Sequence, residues 1–324
     1  MRPVLRHEGL TLNIRLLKKI KVMVPATSAN LGPGFDVLGV SLKLYNEVAV
    51  ELYSAAVENN IEISGEGAAT LPRNENNVVW RSMKEVFASS GPSFRNKFTF
   101  KNFKIRLINR IPLASGMGSS AAARLCGILA ANELTGAKLD CDGLLSIGVK
   151  LEGHPDNIVP ALLGGLCVSA MDGKRARFVK LPVPAMKAVV CNPDFELATE
   201  KTRKVLPRKV SLETAIFNSS RLALLLSAFQ LRQYGLISCA MQDALHQPFR
   251  KHLIPGMMSV IDSALSAGAY GAALSGAGPS IIALVPKTKA GAIGLAMKNK
   301  WKKYKVSSKF FALDFESRGA LVKR

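Results

Sequence analysis

The sequence predicts a globular protein of two domains in which strands and helices are mixed, and three observations carry that reading. The 324 residues are about twice the roughly 150 that a typical domain uses. Of these positions 48% are hydrophobic and 21% charged, a balance that builds packed cores and excludes disordered, collagen-like and disulfide-scaffold classes. Finally, segments with strand-like alternation are interleaved with helical ones, and glycine and proline punctuate the joins.

In order along the chain, IKVMVPATSAN from Ile20 reads as a strand that breaks at Pro25, and LGPGFDVLGV, with Gly32, Pro33, Gly34 and Gly39, reads as a tight irregular turn. SLKLYNEVAVEL alternates for two strands' worth of chain, and Ile61 and Ile63 continue the pattern. Pro72 to Asn77 opens a helix from Val78 to Ser89, and FTFKNFKIRLINRIP is a strand ending at Pro112. An Ala-rich helix from Ser120 to about Leu134 follows, then one from Cys141 to about Glu152, the turn GHPDN, the run Ile158 to Leu163 and a Gly164-Gly165 break. Leu166 to Ala170 and Ala185 to Cys191 are strand-like. Helical patterns cover Leu212 to Tyr234, Ile237 to Leu245 and Gly256 to Ala267, with strands at Ile281 to Val285 and Phe310 to Phe315. The charged, proline-punctuated stretch at 172–185 is the expected domain boundary.

The net charge of +21 is concentrated at the ends, residues 1–23 contributing +5 and residues 286–324 contributing +9. Lys298, Lys300, Lys302, Lys303 and Lys305, interleaved with Trp301 and Tyr304, admit a nucleic-acid-binding face, but the bland reading is a solvated helix end. An overall positive field also draws in anionic substrates such as ATP. Five cysteines spread from Cys126 to Cys239, with no CxxC pair, read as buried thiols in a reducing cytosol and argue against a structural metal. The longest apolar runs, such as Leu222 to Phe229, fall well short of the ~20 residues a membrane span needs. The basic arm before Ile20 lacks the apolar run and cleavage site of a secretory signal.

The sharpest local signal is IPLASGMGSSAAARLCGILAANEL at residues 111–134. Gly116 and Gly118 let backbone amides converge, and Ser119 and Ser120 open a helix, so amides, helix dipole and hydroxyls together make an anion cradle. No lysine follows these glycines, which excludes a Walker A loop. A second glycine turn, Ser275-Gly276-Ala277-Gly278-Pro279-Ser280, has two hydroxyls and two glycines that could close over a ligand.

Three ordered segments, PATSANLGPGFDVLG, PLASGMGSSAA and LSGAGPS, resemble the motifs of the GHMP small-molecule kinases, the group of galactokinase, homoserine kinase, mevalonate kinase and phosphomevalonate kinase. With EGHPDNIVPALLGGL at 152–166, the chain is most similar to the homoserine kinase branch, and the resemblance spans about Ile20 to Val322. It implies an α+β fold: an N-terminal, α/β-like ATP-binding domain at 20–178 with a left-handed βαβ unit like ribosomal protein S5 domain 2, a ferredoxin-like domain at 179–324, and a short extension at 1–19. It further implies ATP-dependent phosphorylation of the L-homoserine hydroxyl to O-phospho-L-homoserine, ATP and Mg2+ as cofactors, a cytoplasmic homodimer, and no membrane or nucleic-acid partner. Another kinase of the group, acting on a mevalonate-like acid or a sugar, and a basic RNA-binding module are the competing readings.

Carried over residue by residue, the resemblance places the substrate carboxylate at Arg203 and Arg250, its ammonium at Asp36, and further substrate contacts at Asn30, His154 and Asn157. A guanidinium fork matches a carboxylate geometrically. The nucleotide would lie on Pro112, Leu113, Ala114, Ser115, Gly116, Met117, Gly118, Ser119, Ser120 and Ala121, with Gly276 and Gly278 closing over it and Asn77 (or Asn76) at the adenine. Ser120 would supply a hydroxyl to the magnesium. Many relatives have a glutamate eight residues before the histidine, where this chain has Ser146; Glu152, two before the histidine, is the nearest acid and the first candidate for the metal carboxylate, with Asp142 the other. Asn157, with Asn30, positions the reacting hydroxyl without removing its proton, and Asp156 is the rival base.

Overall fold

The computed structural model describes residues 14–89, 94 and 97–324. It is built on two sheets. The larger has seven strands in the order β11-β1-β2-β4-β3, with a hairpin of β5 and β6 branching from β2. Its strands are β1 Leu16–Asn30, β2 Gly34–Tyr53, β3 Ile61–Gly65, β4 Phe103–Asn109, β5 Leu166–Asp172, β6 Arg175–Leu181 and β11 Leu321–Lys323. Helices α1 Val78–Ser89, α2 Ser119–Thr135, α3 Cys141–Glu152 and α4 Pro155–Leu163 belong to the same half of the chain. Strands β3 and β4 pair in parallel across the α1 crossover.

Period-two alternation explains the two faces of this sheet. On β1, Ile20, Val22 and Val24 are buried, whereas Lys19 and Lys21 reach across the opposite face to Glu51 (2.9 Å) and Glu47 (2.6 Å). Arg106 on β4 joins Glu51 to Glu62 at 2.9 and 3.0 Å, and Arg110 pairs with Glu47 at 2.6 Å. The open face is thus a charge ladder whose cations already have carboxylate partners.

The smaller sheet, in order β10-β7-β9-β8, comprises β7 Lys187–Pro193, β8 Gly271–Leu274, β9 Ile281–Val285 and β10 Ser308–Leu313. With α9 Met257–Ser266 and α10 Ala290–Lys303 it has the β-α-β-β-α-β chain order and antiparallel pairing of a ferredoxin-like unit. Both its faces are covered. Val189, Cys191, Ile281 and Ala283 pack with Val260, Ile293, Met297 and Trp301, while Ala188, Val190, Ile282 and Leu284 face the core shared with Leu225, Phe229 and Ile237. Burying strands on both sides requires continuous apolar runs, and each core side chain taken from water contributes roughly 1.5–3 kcal/mol. The second cluster of helices, α5 Thr199–Lys204, α6 Leu212–Gln230, α7 Ile237–Ala240 and α8 Gln247–Arg250, lies between β7 and α9 in the chain.

Several sequence expectations change. Strand β1 does not end at Pro25 but runs on to Asn30, absorbing the proline in a register shift between Pro25 and Ala26. GFDVLGV is not a turn but the first part of β2, which continues unbroken for 20 residues. The glycine there has a packing reason: a Cβ on Gly39 would lie 1.8 Å from the Asp156 carbonyl oxygen, so only glycine lets α4 sit directly on β2. The helix expected at Ile237 to Leu245 stops at Ala240, because Asp243 and Asn218 take over the following amides. The expected boundary at 178/179 falls inside β6, and β1 begins at Leu16, inside the expected extension; residues 1–13 of that extension lie outside the described residues.

The cysteines are all free, Cys126, Cys167 and Cys191 being buried, whereas Cys239 is exposed on a short helix. Trp301 is wholly buried with its indole N–H on the Pro255 carbonyl, so it is no stacking platform, whereas Tyr304 is exposed with its hydroxyl bonded to Ser259. Among the described residues no helix is long and apolar enough to cross a membrane.

Candidate active site

The glycine-serine segment 112–118 links β4 to α2, and its conformation is dictated by what it touches. Ala114, Gly116 and Gly118 have φ of 44°, 78° and 70°. Gly118 caps α2 in the left-handed region, and a Cβ on it would lie 2.0 Å from Thr27 Oγ1 and 3.2 Å from Asn157 Oδ1. The loop is held from both other motifs. Thr27 N donates to the Met117 carbonyl at 3.1 Å, Ser275 Oγ to the Gly116 carbonyl at 2.7 Å, and Ser280 N to the Ser115 carbonyl at 3.1 Å. Ser28 and Ser275 share a hydroxyl bond of 2.9 Å, and Gly276 N donates to the Ala29 carbonyl at 3.0 Å. The three motifs, far apart in the chain, therefore form one knot around the N-terminus of α2, where amides and the helix dipole favour an anion.

A cavity of about 100 Å³ opens on this knot. Gly116, Gly118, Ser119 and Ser120 line it on the loop side; Asp36, Arg203, Arg250, His154 and Asp156 form a charged set, and Asn30, Asn157 and Gly276 join the two, Asn157 standing beside Gly118. Asn30, with φ 71°, accepts from Asp36 N at 3.1 Å and donates to the Gly276 carbonyl at 2.9 Å. Asp36, itself at φ 59°, receives a bidentate guanidinium: Arg203 Nη2 at 2.6 Å and Nη1 at 3.0 Å. That hydrogen bond raises the Arg203 pKa above the ordinary guanidinium value.

Arg250 is different in kind. It is 1% exposed, its Nη1 donates to the Gly276 carbonyl and to His246 Nδ1, both at 3.1 Å, and its Nε donates to the Thr202 carbonyl at 3.3 Å. Burial, with repulsion from Arg203, pushes its pKa down to about 10 against the pull of Asp36, Asp243 and Asp156. His246 in turn donates from Nε2 to the Gly32 carbonyl at 2.9 Å, which leaves Nδ1 to accept from Arg250. Burial holds its pKa below 6.5 and hence neutral. Phe35 lies under both guanidiniums, 5.5 Å from Arg203 and 5.3 Å from Arg250, and stacks on His246 at 5.3 Å.

At the start of α4, His154 Nδ1 bonds Asp156 Oδ1, Asn157 Nδ2 donates to the same oxygen at 3.3 Å, and Thr27 Oγ1 donates to Asn157 Oδ1 at 2.6 Å. Burial opposes a charge on His154, but the hydrogen bond and charge of Asp156, with Glu152, outweigh it and raise the pKa. Asp36, His154 and Asp156 bring three ligand atoms within 4.8 Å, but each is already engaged, Asp36 by Arg203 and the other two by one another.

Glu152 ends α3 facing Ser120, whose hydroxyl donates to its Oε2 at 2.9 Å, and Arg124 Nε adds a second bond at 2.7 Å. Asp142, the other candidate carboxylate, sits exposed in the first turn of α3, ten positions and thus roughly 15 Å of helix away, and is not part of the cavity. A second cavity of about 320 Å³ adjoins the loop, lined by Leu71, Pro72, Asn76, Asn77, Leu107, Leu113 and Ala123 with Ser119 and Ser120. Asn77 reaches it, although its carboxamide bonds the Pro72 carbonyl at 2.8 Å and Val79 N at 3.0 Å; Asn76 stands exposed at the rim. Of the other expected nucleotide residues, Met117 and Ala121 turn their side chains into the core, and Gly278 shapes its turn without lining the cavity. Sequence reasoning missed Thr27, Phe35 and His246. The first two lie inside the quoted first motif, and His246 stands one helical turn before Arg250.

The family models for the GHMP kinases N terminal domain and the GHMP kinases C terminal match residues 77–165 and 225–303. A homoserine kinase of Carboxydothermus hydrogenoformans is 44% identical over 300 residues, 93% of this chain and 95% of that one. The chain belongs to the GHMP kinases. A second relative, a homoserine kinase of Desulfitobacterium hafniense, is 43% identical over 94% of this chain and 99% of its own length. The crystal structure of homoserine kinase from Cytophaga hutchinsonii superposes with a TM-score of 0.82 at 33% identity, covering 95% of this chain and 98% of that one. An L. major mevalonate kinase shares the GHMP kinase fold at 15% identity and a TM-score of 0.69. This GHMP kinase is accordingly an ATP-dependent kinase of mixed α+β fold with two domains.

Proposed function

We propose that the protein is a homoserine kinase, transferring the γ-phosphoryl group of ATP to the side-chain hydroxyl of L-homoserine. One observation carries this reading: the small cavity has an anion cradle at one end and, at the other, a carboxylate and two guanidiniums arranged as the complement of a zwitterion. The paired Asp36 and Arg203 would open to the two ends of the amino acid, Arg203 and Arg250 taking its carboxylate and Asp36 its ammonium. A sugar offers no charge to either side, and a mevalonate-like acid offers Asp36 no ammonium. The names of the relatives point the same way.

Phosphoryl transfer has a loose transition state, so the protein's work is alignment and neutralisation of charge. Gly116 to Ser120 hold the phosphates by amides, hydroxyls and the α2 dipole. The apolar walls of the adjoining cavity take the adenine, with Asn76 and Asn77 at its edge. Asn157 and Asn30 position the acceptor hydroxyl. Asp156, already shared between His154 and Asn157, organises this corner without serving as base. Ser120 and Glu152 offer a hard cation a hydroxyl and a carboxylate beside the phosphate loop, but Glu152 Oε2 already accepts from Ser120 and Arg124, so a cation there would compete with Arg124 for the carboxylate. Bound there, Mg2+ would neutralise phosphate charge.

The reading extends to a cytoplasmic enzyme working as a homodimer, for which the exposed Leu212 and Ile216 on α6 offer an apolar stripe. The functional test is ADP release with magnesium ATP and a panel of alcohols. L-Homoserine is expected to exceed mevalonate and galactose by orders of magnitude; ADP release that ignores homoserine, or favours mevalonate, overturns the assignment.

A further inference from the structure

We infer that Thr27 is a positioning residue for phosphoryl transfer: together with the Asp156 carboxylate, its hydroxyl anchors the Asn157 carboxamide so that the amide offers N–H, and not oxygen, to the reacting hydroxyl. The inference rests on the homoserine kinase reading and adds a residue which that reading does not use.

Thr27 lies on β1, wholly buried, and nothing in a strand core calls for a hydroxyl there. A buried hydroxyl must find a partner, and this one donates to Asn157 Oδ1 at 2.6 Å. On the other side of the carboxamide, Nδ2 donates to the Asp156 carboxylate at 3.3 Å. Exchanging the two ends of the amide would press its oxygen against that carboxylate and strip the threonine hydroxyl of its acceptor. The acceptor-only carboxylate therefore selects the orientation, and the threonine hydroxyl, which can donate or accept, holds the oxygen end of the amide in place. Asn157 lines the cavity, and the second N–H of its amide is the group left for substrate.

The same bond ties three elements together. Thr27 N holds the phosphate loop through the Met117 carbonyl, and a Cβ on Gly118 would collide with Thr27 Oγ1. The threonine thus sets the spacing between the cradle on α2 and the amide on α4. In-line transfer depends on that spacing, and a displacement of about 1 Å can cost on the order of 100-fold in rate.

The experiment is initial-rate kinetics of Thr27→Val, Thr27→Ala and Thr27→Ser, each made in the wild-type and the Asn157→Ala backgrounds, with L-homoserine and magnesium ATP. Loss of the hydroxyl is expected to lower kcat by roughly 10- to 100-fold, with either KM changing less than about threefold. Serine should restore most of the rate, and in the Asn157→Ala background removal of the hydroxyl should cost less than about twofold. Should the valine variant fail to fold, alanine, which adds no bulk against Gly118, carries the same cycle. Wild-type kcat in the hydroxyl-free variants overturns the inference, as does a serine variant as impaired as valine, or losses that multiply in the double variants. A wild-type enzyme with no homoserine-dependent ADP release instead overturns the functional reading itself, and is seen before any variant is compared.

Discussion

The two ends of the cavity are built by different means. The end proposed for phosphate is a contiguous stretch from Gly116 to Ser120 that depends on its glycines and their backbone amides. The end proposed for the amino acid is made of side chains from distant segments: Asp36 on β2, His154 just before α4 and Asp156 in its first turn, Arg203 on α5 and Arg250 on α8. Each end is fragile in its own way. A backbone cradle fails sterically and completely, whereas a side-chain pocket fails one contact at a time.

The largest expected effect breaks the cradle. Gly118→Ala places a methyl 2.0 Å from Thr27 Oγ1 in a backbone conformation that alanine resists, and kcat/KM should fall by about 10³-fold or more, read by steady-state kinetics at saturating homoserine. At the junction of the two ends, Asn157→Ala should reduce kcat by about 10²-fold while Asp156→Asn is milder; if Asp156→Asn abolishes turnover and Asn157→Ala does not, Asp156 is the base. In the pocket proper, Arg203→Lys keeps the charge but loses the bidentate fork to Asp36. The KM for homoserine should rise about tenfold and the KM for ATP stay within error, so an equal rise in both would dissolve the contrast.

The smallest effect concerns pH. His246 is kept neutral by burial and by the neighbouring Arg250, against the opposing charges of Asp243 and Asp36 and the Gly32 carbonyl. A folded-state value depressed below 6.5 means that stability is complete above pH 6.5 and declines as pH falls towards the depressed value, because the unfolded chain binds the proton more readily. The wild-type Tm should therefore drop by a few degrees between about pH 7 and pH 5, and His246→Gln should remove much of that slope. A steeper slope in the glutamine variant would show that other groups govern it.

Legibility followed the same division. The cradle was readable because its residues are adjacent and its glycines and serines have one economical physical use. Resemblance supplied Asp36, Arg203 and Arg250, and the structure brings all three to the cavity, but it did not reveal that the first two hold each other or that Phe35 underlies both arginines. Asp142 stood second to Glu152 in the sequence, as the more distant acid, and ten residues of helix rise take it away from Ser120. Strand β2 was misread at GFDVLGV because glycine signals a turn locally, while Gly39 is needed for the approach of α4 from elsewhere. Pro25 likewise signals a break that the register shift accommodates.

The mixture of strands and helices and the glycine-serine loop at the head of a helix were legible from local periodicity and composition, and the α+β kinase group from the resemblance of three contiguous motifs. That Thr27 grips Asn157, that His246 supports Arg250, and that Glu152 faces Ser120 could be read from the folded molecule alone. Those are hydrogen bonds between residues whose partners are chosen by the packing of β1, α3, α4 and α8, and packing acts across distances along the chain that no local pattern records.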